Sequence, residues 1–410
     1  MTMAGPLEGI RVLDLSAVLS GPIAAGMLAD QGADVVKIES PDGDTSRRIG
    51  PRKADISAMF LAANRGKRSL VLDLKQAAAQ QIVRELAQRA DVLVENFRPG
   101  AMDRLGLGHE ALLALNPRLV YLSISGFGQT GPNAGERAYD AVIQAVSGIS
   151  ASHRNQVSGD PQVLAAALCD KLTALTAAQA ICAALLARTR TGKGQWVELA
   201  MLDAAVSFQW PDAMYNHIWL DDAPPPSPEF GVSQKPWKTS DGYAVASGPQ
   251  PVEFAAVCAG FGRPELAQDP RFASVDGRFR HAAALREELD PSAAAIDTAT
   301  MLQRMRAHNA PVGRVNERHE VLADPQVLHN GTLVEVDHGE LGRARLPRSP
   351  ARFNGTPAAA PGPAPHLGQH AADVLGELGH DAAQQDAWRE AGVLGAPAAF
   401  PKSSVPTTPR

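Results

Sequence analysis

Short apolar runs alternate with helix signals over the first 125 residues, and this alternation constrains the fold more than any other feature. Residues 10–15, 35–39, 69–74, 91–95 and 119–124 read as strands, bounded by polar or turn residues. Ser20-Gly21-Pro22 opens a helix through about Asp30, with Pro22 at a tolerated first-turn position, and Gly32 ends it. A second helix pattern follows over 77–89. The pattern dictates an α/β fold: a parallel sheet covered by helices, Rossmann-like in architecture.

A dinucleotide fingerprint is missing. After the first strand the chain reads Ser16-Ala17-Val18-Leu19-Ser20-Gly21-Pro22, which is not GxGxxG. Glu39 ends the second strand where NAD enzymes hold a ribose. Without the glycine loop it argues little for NAD.

Further along, residues 170–188 form a long Ala/Leu helix pattern, 191–195 a turn, and 202–219 a second helix pattern. The proline-rich run 222–228 reads as a linker. Beyond it, Asp241-Gly242 makes a hairpin turn feeding an alternating strand. Strand and turn signals return from Pro311, a Pro/Ala-rich stretch over 355–365 reads as extended on the surface, and short helices end the ordered chain. The expected organisation is a large domain whose first part is 1–222, a small domain at 229–310, a return to the large domain at 311–395, and a disordered tail at 396–410.

A net charge of −5 gives no basic excess for nucleic acid or an anionic membrane. The apolar stretches are Ala-rich and broken by charges, so no membrane span is expected. Cys169, Cys182 and Cys258 have no metal-like spacing, and no metal site is expected. Their apolar contexts fit reduced thiols in a cytoplasmic protein, and residues 1–8 show no signal-peptide pattern.

The segment 95–106, Glu-Asn-Phe-Arg-Pro-Gly-Ala-Met-Asp-Arg-Leu-Gly, carries the densest chemistry. It follows an apolar strand, and ligands in open α/β sheets sit at the carboxyl ends of strands. Phe97 offers a face for a base, and Arg98 and Arg104 offer guanidiniums for phosphates. The same residues also fit a plain strand-to-helix turn with solvated arginines.

Several segments together resemble the class III CoA-transferases, the formyl-CoA and carnitine CoA-transferase-like proteins related to α-methylacyl-CoA racemases. They include Leu7-Glu8-Gly9-Ile10-Arg11-Val12-Leu13-Asp14, Gly32-Ala33-Asp34-Val35-Val36-Lys37-Ile38-Glu39 and Asn64-Arg65-Gly66-Lys67-Arg68-Ser69. The 96–106 segment, Gly126-Phe127-Gly128-Gln129-Thr130-Gly131-Pro132, 191–195, Asp241-Gly242-Tyr243 and Ala323-Asp324-Pro325-Gln326 follow in order. The resemblance implies a Rossmann-like large domain built from both chain ends, a small inserted domain, and a homodimer of interlocked subunits.

It also implies a reaction: CoA moves from an acyl-CoA thioester to a free carboxylic acid. The thioester is the substrate, and no other cofactor is called for. The nucleophile matches Asp170, at the start of the long helix, where an aspartate also fits an ordinary helix N-cap. The CoA-binding positions that carry over are Val18, Leu19, Leu72, Lys75, Asn96, Phe97, Arg104 and Arg137. In that scheme Lys75, Arg104 and Arg137 answer phosphates while Leu72 and Phe97 sandwich adenine. By family analogy, succinyl-CoA is the donor and the acceptor a small mono- or dicarboxylate.

Three departures narrow the reading. Formyl-CoA transferases have a glutamine where this chain has Leu19, which speaks against oxalate-type chemistry. Their glycine-run lid is replaced by Ala246-Ser247-Gly248-Pro249-Gln250-Pro251, a stiffer loop. The runner-up reaction, racemisation at C2 of a methylacyl-CoA, needs a His-Asp pair. This chain has Tyr139-Asp140 there, and a phenol with an ordinary pKa of about 10 is a poor base. A nucleotide-binding module without chemistry is the third alternative.

Overall fold

A computed structural model describes residues 5–155, 158–229, 231, 235–358 and 360–395, so the expected tail at 396–410 lies outside the described residues. The chain divides into two compact units, Met1–Phe208 with Gly331–Arg410, and Gln209–Asn330.

The first unit is built on a six-stranded parallel sheet. Its strands are β1 (Arg11–Asp14), β2 (Asp34–Glu39), β3 (Arg68–Val71), β4 (Val92–Glu95), β5 (Val120–Ser125) and β6 (Gln195–Ala200). They lie in the order β3-β2-β1-β4-β5-β6. Val12 pairs with Val35 on one side of β1 and with Val92 on the other. The chain therefore reverses its direction of travel across the sheet between β1 and β4. At such a switch point the two following loops part and leave a crevice outside the carboxyl ends of the strands.

Side chains alternate across the sheet as a period of two requires. Leu13, Val36, Leu70, Leu93 and Tyr121 enter one core, with the helix Ala77–Arg89 over it. Val12, Val35, Val94 and Leu122 enter the other. That second face is covered by α1 (Ser20–Asp30) and by the helix Leu168–Thr191. The two helices meet through small residues, Ala24 and Ala25 with Ala174 and Ala177. The longer one is apolar enough to cross a membrane by length and composition alone. Gly192 ends it in the left-handed region at φ +73°, a conformation that glycine adopts without a Cβ penalty.

The second unit carries a three-stranded antiparallel sheet of Trp237–Lys238, Tyr243–Ala246 and Val312–Arg314. Its core is formed by Phe254, Phe272, Leu289, Met301 and Met305. The Asp241-Gly242 turn is anchored by its carboxylate, which accepts the Thr298 N–H at 2.8 Å. The 246–251 segment is stapled in place. The Ser247 N–H donates to the Pro311 carbonyl at 3.1 Å, and Arg278 Nη2 donates to the Pro249 carbonyl at 2.7 Å.

Two expectations need correction. The helix expected over 202–219 is Met201–Gln209 and no longer. Pro211 explains the stop, because a proline ring pushes the residue before it out of the helical region. The 355–365 stretch is not simply laid over the surface. Pro361, Ala364 and Pro365 are buried, the Pro363 carbonyl accepts the Gly66 N–H at 2.9 Å, and the Pro365 carbonyl accepts from Arg47 at 3.2 Å.

Candidate active site

The loop between β1 and α1 is fixed residue by residue. Asp14, the last residue of β1, accepts the Ser16 N–H at 3.0 Å and also the Ser16 hydroxyl. Lys37, fully buried on β2, donates to the Ser16 carbonyl at 2.8 Å. The Asn96 amide closes two bonds on Ala17, accepting its N–H and donating to its carbonyl, both at 2.8 Å. Asp44 accepts the Val18 N–H at 3.2 Å. Those anchors hold Val18 at φ +70°, a backbone state that a β-branched residue reaches only when its surroundings over-determine it.

Beneath the loop lies a buried ionic cage. Lys37 pairs with Asp44 at 2.9 Å, and Lys67 pairs with Asp14 at 2.7 Å. Lys67 also donates to the Pro22 carbonyl at 2.8 Å, tying the first turn of α1 to the cage. Glu39 is consumed nearby: it receives Arg47 through two bonds of 2.7 Å and the Ser69 hydroxyl at 2.7 Å. Its carboxylate is therefore engaged within the fold.

A cleft of about 280 Å³ opens at the carboxyl ends of β1, β4 and β5. Asp170 lines it, with Val18 and Ser20 from the first loop, Asn96, Phe97 and Arg98 from the second, and Arg137 and Tyr139 opposite. Asp170 is not the N-cap of its helix; Ala167 holds that position and Asp170 lies in the first turn. A neighbouring helix supplies the missing cap, since Asp140 Oδ1 accepts the Asp170 N–H at 2.9 Å. Burial first, and then the Asp140 charge, push the Asp170 carboxyl up to about 6. Ser20, at the start of α1, works the other way and favours the ionised form. At neutral pH Asp170 is thus mostly a carboxylate, partly stripped of water and aimed into the cleft.

A second, mainly apolar cavity of about 380 Å³ adjoins the first, sharing Ala17 and Phe97 with it. Leu72 and Lys75 line this one. Phe97 is 37 % exposed and stands between the two cavities. Leu72 is wholly buried, so it contributes to the cavity floor and offers no free face.

Of the residues expected from sequence, Asp170, Val18, Asn96, Phe97 and Arg137 come together at the cleft. Leu72 and Lys75 join Phe97 in the second cavity. Leu19 and Arg104 line neither cavity. Leu19 is the N-cap residue of α1, and the Arg104 guanidinium lies beside Gly100. The Asn96 amide is already spent on Ala17, so its part in the site is to hold the loop.

Sequence reasoning passed over Asp14, Lys37, Asp44 and Lys67, which hold the first loop in place. A lysine inside the apolar run Val35-Val36-Lys37-Ile38 was the available signal, because a buried ammonium demands buried acidic partners. Asp140 entered only as half of a dipeptide, and its bond to Asp170 spans thirty positions of sequence. Among the described residues, no group of three or more His, Cys, Asp or Glu is arranged to hold a metal ion.

Comparison with known proteins gives a concordant result. Residues 7–371 match the model of CoA-transferase family III. The chain is 36 % identical to the succinyl-CoA:glutarate CoA-transferase of Mus musculus over 377 residues, covering 91 % of this chain and 86 % of that protein. It is 36 % identical to a formyl-CoA:oxalate CoA-transferase of Streptomyces avermitilis over 400 residues, covering 92 % and 96 %. A crystal structure of a mutant of Rv3272 from Mycobacterium tuberculosis superposes with a TM-score of 0.81 at 34 % identity, covering 91 % of this chain and 99 % of that one.

Proposed function

Because the chain belongs to CoA-transferase family III, an enzyme family that moves coenzyme A from an acyl-CoA to a carboxylate, we propose that Asp170 carries the transfer covalently. The observation that supports this is the desolvated Asp170 carboxylate at the cleft between the two loops of the switch point. A carboxylate suits the task since every step exchanges a carboxylate and a thiolate at an acyl carbon.

The Asp170 oxygen attacks the donor thioester carbonyl, the C–S bond breaks, and CoA leaves as thiolate. The thiolate then attacks the Asp170 carbonyl of the mixed anhydride. Its C–O bond breaks, the donor acid leaves as a carboxylate, and an aspartyl-CoA thioester remains. The acceptor carboxylate attacks that thioester and releases the thiolate again. The thiolate takes the acceptor acyl group, and Asp170 returns as a carboxylate. No net proton is needed, but water must be kept out or the anhydride hydrolyses.

Phe97 stacks on the adenine from the rim of the second cavity, with Leu72 behind it. Lys75 and Arg137 answer phosphates, and Arg98 joins them because it lines the cleft. Arg104 enters by resemblance alone. Val18 presents its backbone to the bound thioester, and Asn96 holds Val18 and Ala17 in shape. Succinyl-CoA is the proposed donor and a small mono- or dicarboxylate the acceptor, in line with the succinyl-CoA:glutarate relative named above. Leu19, without an amide, argues against oxalate.

We place the working enzyme in the cytoplasm, where its three free cysteines stay reduced. We also infer an interlocked homodimer with a small domain over 229–310, a stretch that lies within the compact unit Gln209–Asn330. Apolar side chains left in solvent on the single chain fit a buried interface, among them Leu186 on the helix Leu168–Thr191. Racemisation is not favoured: Tyr139 stands where a base is needed, and it is 68 % exposed.

The test is direct. The protein is incubated with succinyl-CoA and a panel of carboxylic acids, and new acyl-CoA products are followed by mass spectrometry. A new thioester formed with loss of succinyl-CoA supports transfer. Exchange of the C2 hydrogen of a 2-methylacyl-CoA with solvent deuterium, and no new thioester, supports racemisation.

A further inference from the structure

A polar cavity of about 180 Å³ adjoins the cleft, sharing Arg98 and Pro99 with it. Glu95, the last residue of β4, lines it and is 5 % exposed. Its Oε2 accepts the backbone N–H of Phe97 at 2.8 Å. The titratable or charged groups that share this cavity are Arg98, Asp103, His109 and Tyr121. The Tyr121 hydroxyl is committed to the Leu107 carbonyl at 3.1 Å, and His109 is stacked on Trp196 at 3.6 Å. Ser123, opposite Glu95 on β5, receives Trp196 Nε1 at 3.1 Å. Burial pushes the Glu95 carboxyl up to about 7, against hydrogen bonds from Ser123 and the Phe97 N–H that favour the ionised form, and the Asp103 charge adds a smaller upward push.

We propose that Glu95 is a positioning residue for coenzyme A, its ionised carboxylate fixing the Phe97 backbone and so the ring that meets the nucleotide. The proposal rests on the reading of Phe97 as part of the CoA wall. A carboxylate accepting a backbone N–H makes a charge-assisted bond, roughly twice as strong as a neutral one. Protonating Glu95 replaces that bond with a weaker neutral one. The neighbouring anchor between Asn96 and Ala17 carries no such titration. CoA binding therefore weakens as pH falls through neutrality, separately from any effect on the nucleophile.

The experiment is calorimetric titration of wild type and Glu95→Gln with free CoA between about pH 5.5 and 8.5, a window around a raised carboxyl. The glutamine keeps a neutral acceptor for the Phe97 N–H. The ratio of the two Kd values cancels titration of the ligand phosphates and of Asp170. It is expected to be close to one at the acid end and to rise to about five-fold at the alkaline end. The kcat at saturating acyl-CoA should be unaltered. A flat ratio, or a fall in kcat with no change in Kd, overturns the proposal. If Glu95→Gln does not fold, Asp103→Asn carries the test. Removing that charge moves the midpoint of the pH dependence to lower pH, and an unmoved midpoint overturns the proposal. Phe97→Ala separates the premise: if it leaves the CoA Kd unchanged, the wall reading itself fails.

Discussion

Asp140 caps the helix that carries Asp170, its Oδ1 accepting the Asp170 N–H at 2.9 Å. Its other oxygen is held by Gln144 Nε2 at 2.6 Å. One carboxylate therefore does two opposed things. It satisfies an orphan donor at the start of the helix Leu168–Thr191, and as a like charge it resists ionisation of the residue it positions.

Asp140→Asn keeps an oxygen for the cap and removes the charge. The acid limb of the kcat/KM profile, which follows Asp170, should then move below pH 6. Asp140→Ala loses the cap as well and should also lower stability by about 1 kcal/mol. Profiles of the two variants against pH, with urea unfolding beside them, check both statements.

The raised Asp170 carboxyl has a stability cost. The folded protein binds this proton more tightly than the unfolded chain, so the cost is absent at pH below about 4 and is fully present above about 6. Asp170→Asn should gain on the order of 1–3 kcal/mol at pH 8 and much less near pH 4. Urea unfolding at the two values reads the difference, and the same variant should have no transferase activity.

Phe97→Ala should raise KM for the acyl-CoA about ten-fold or more, with little change in kcat, since base stacking is worth about 1–3 kcal/mol. Arg98→Ala and Arg137→Ala should do likewise. Arg104→Ala should have the smaller effect, because Arg104 lines neither cavity. Steady-state kinetics on the four variants ranks them, and a dominant Arg104 would reverse the assignment.

The sheet and the long helix were legible in sequence because strands buried on both faces leave short unbroken apolar runs and the helix a long Ala/Leu-rich run. The order β3-β2-β1-β4-β5-β6 was not written out by any local pattern, yet it decides where the crevice opens. Asp170 and Phe97, which line one cleft, were singled out through the family resemblance and the 95–106 segment. The cage of Asp14, Lys37, Asp44 and Lys67 was not, because its members meet only when strand ends come together, as Lys67 does with Asp14 across 53 positions. The Met201–Gln209 helix was overrun for a simpler reason, a proline given too little weight.

The first loop should prove intolerant. Gly21 faces Ser16 so closely that a Cβ would fall on the Ser16 side chain. Gly21→Ala should displace the loop and raise KM for the acyl-CoA. Asn96→Ala leaves the N–H and carbonyl of Ala17 without their partner, at a cost of about 1–3 kcal/mol. Unfolding midpoints and KM values together show whether the loop carries both effects.

Coenzyme A, in the proposed reaction, passes through a covalent bond to Asp170. The protein is incubated with succinyl-CoA, quenched with hydroxylamine during turnover, digested, and its peptides analysed by mass spectrometry. A hydroxamate is expected on Asp170, absent without acyl-CoA and absent in Asp170→Asn. A hydroxamate on another residue, or transfer that persists in Asp170→Asn, would contradict it.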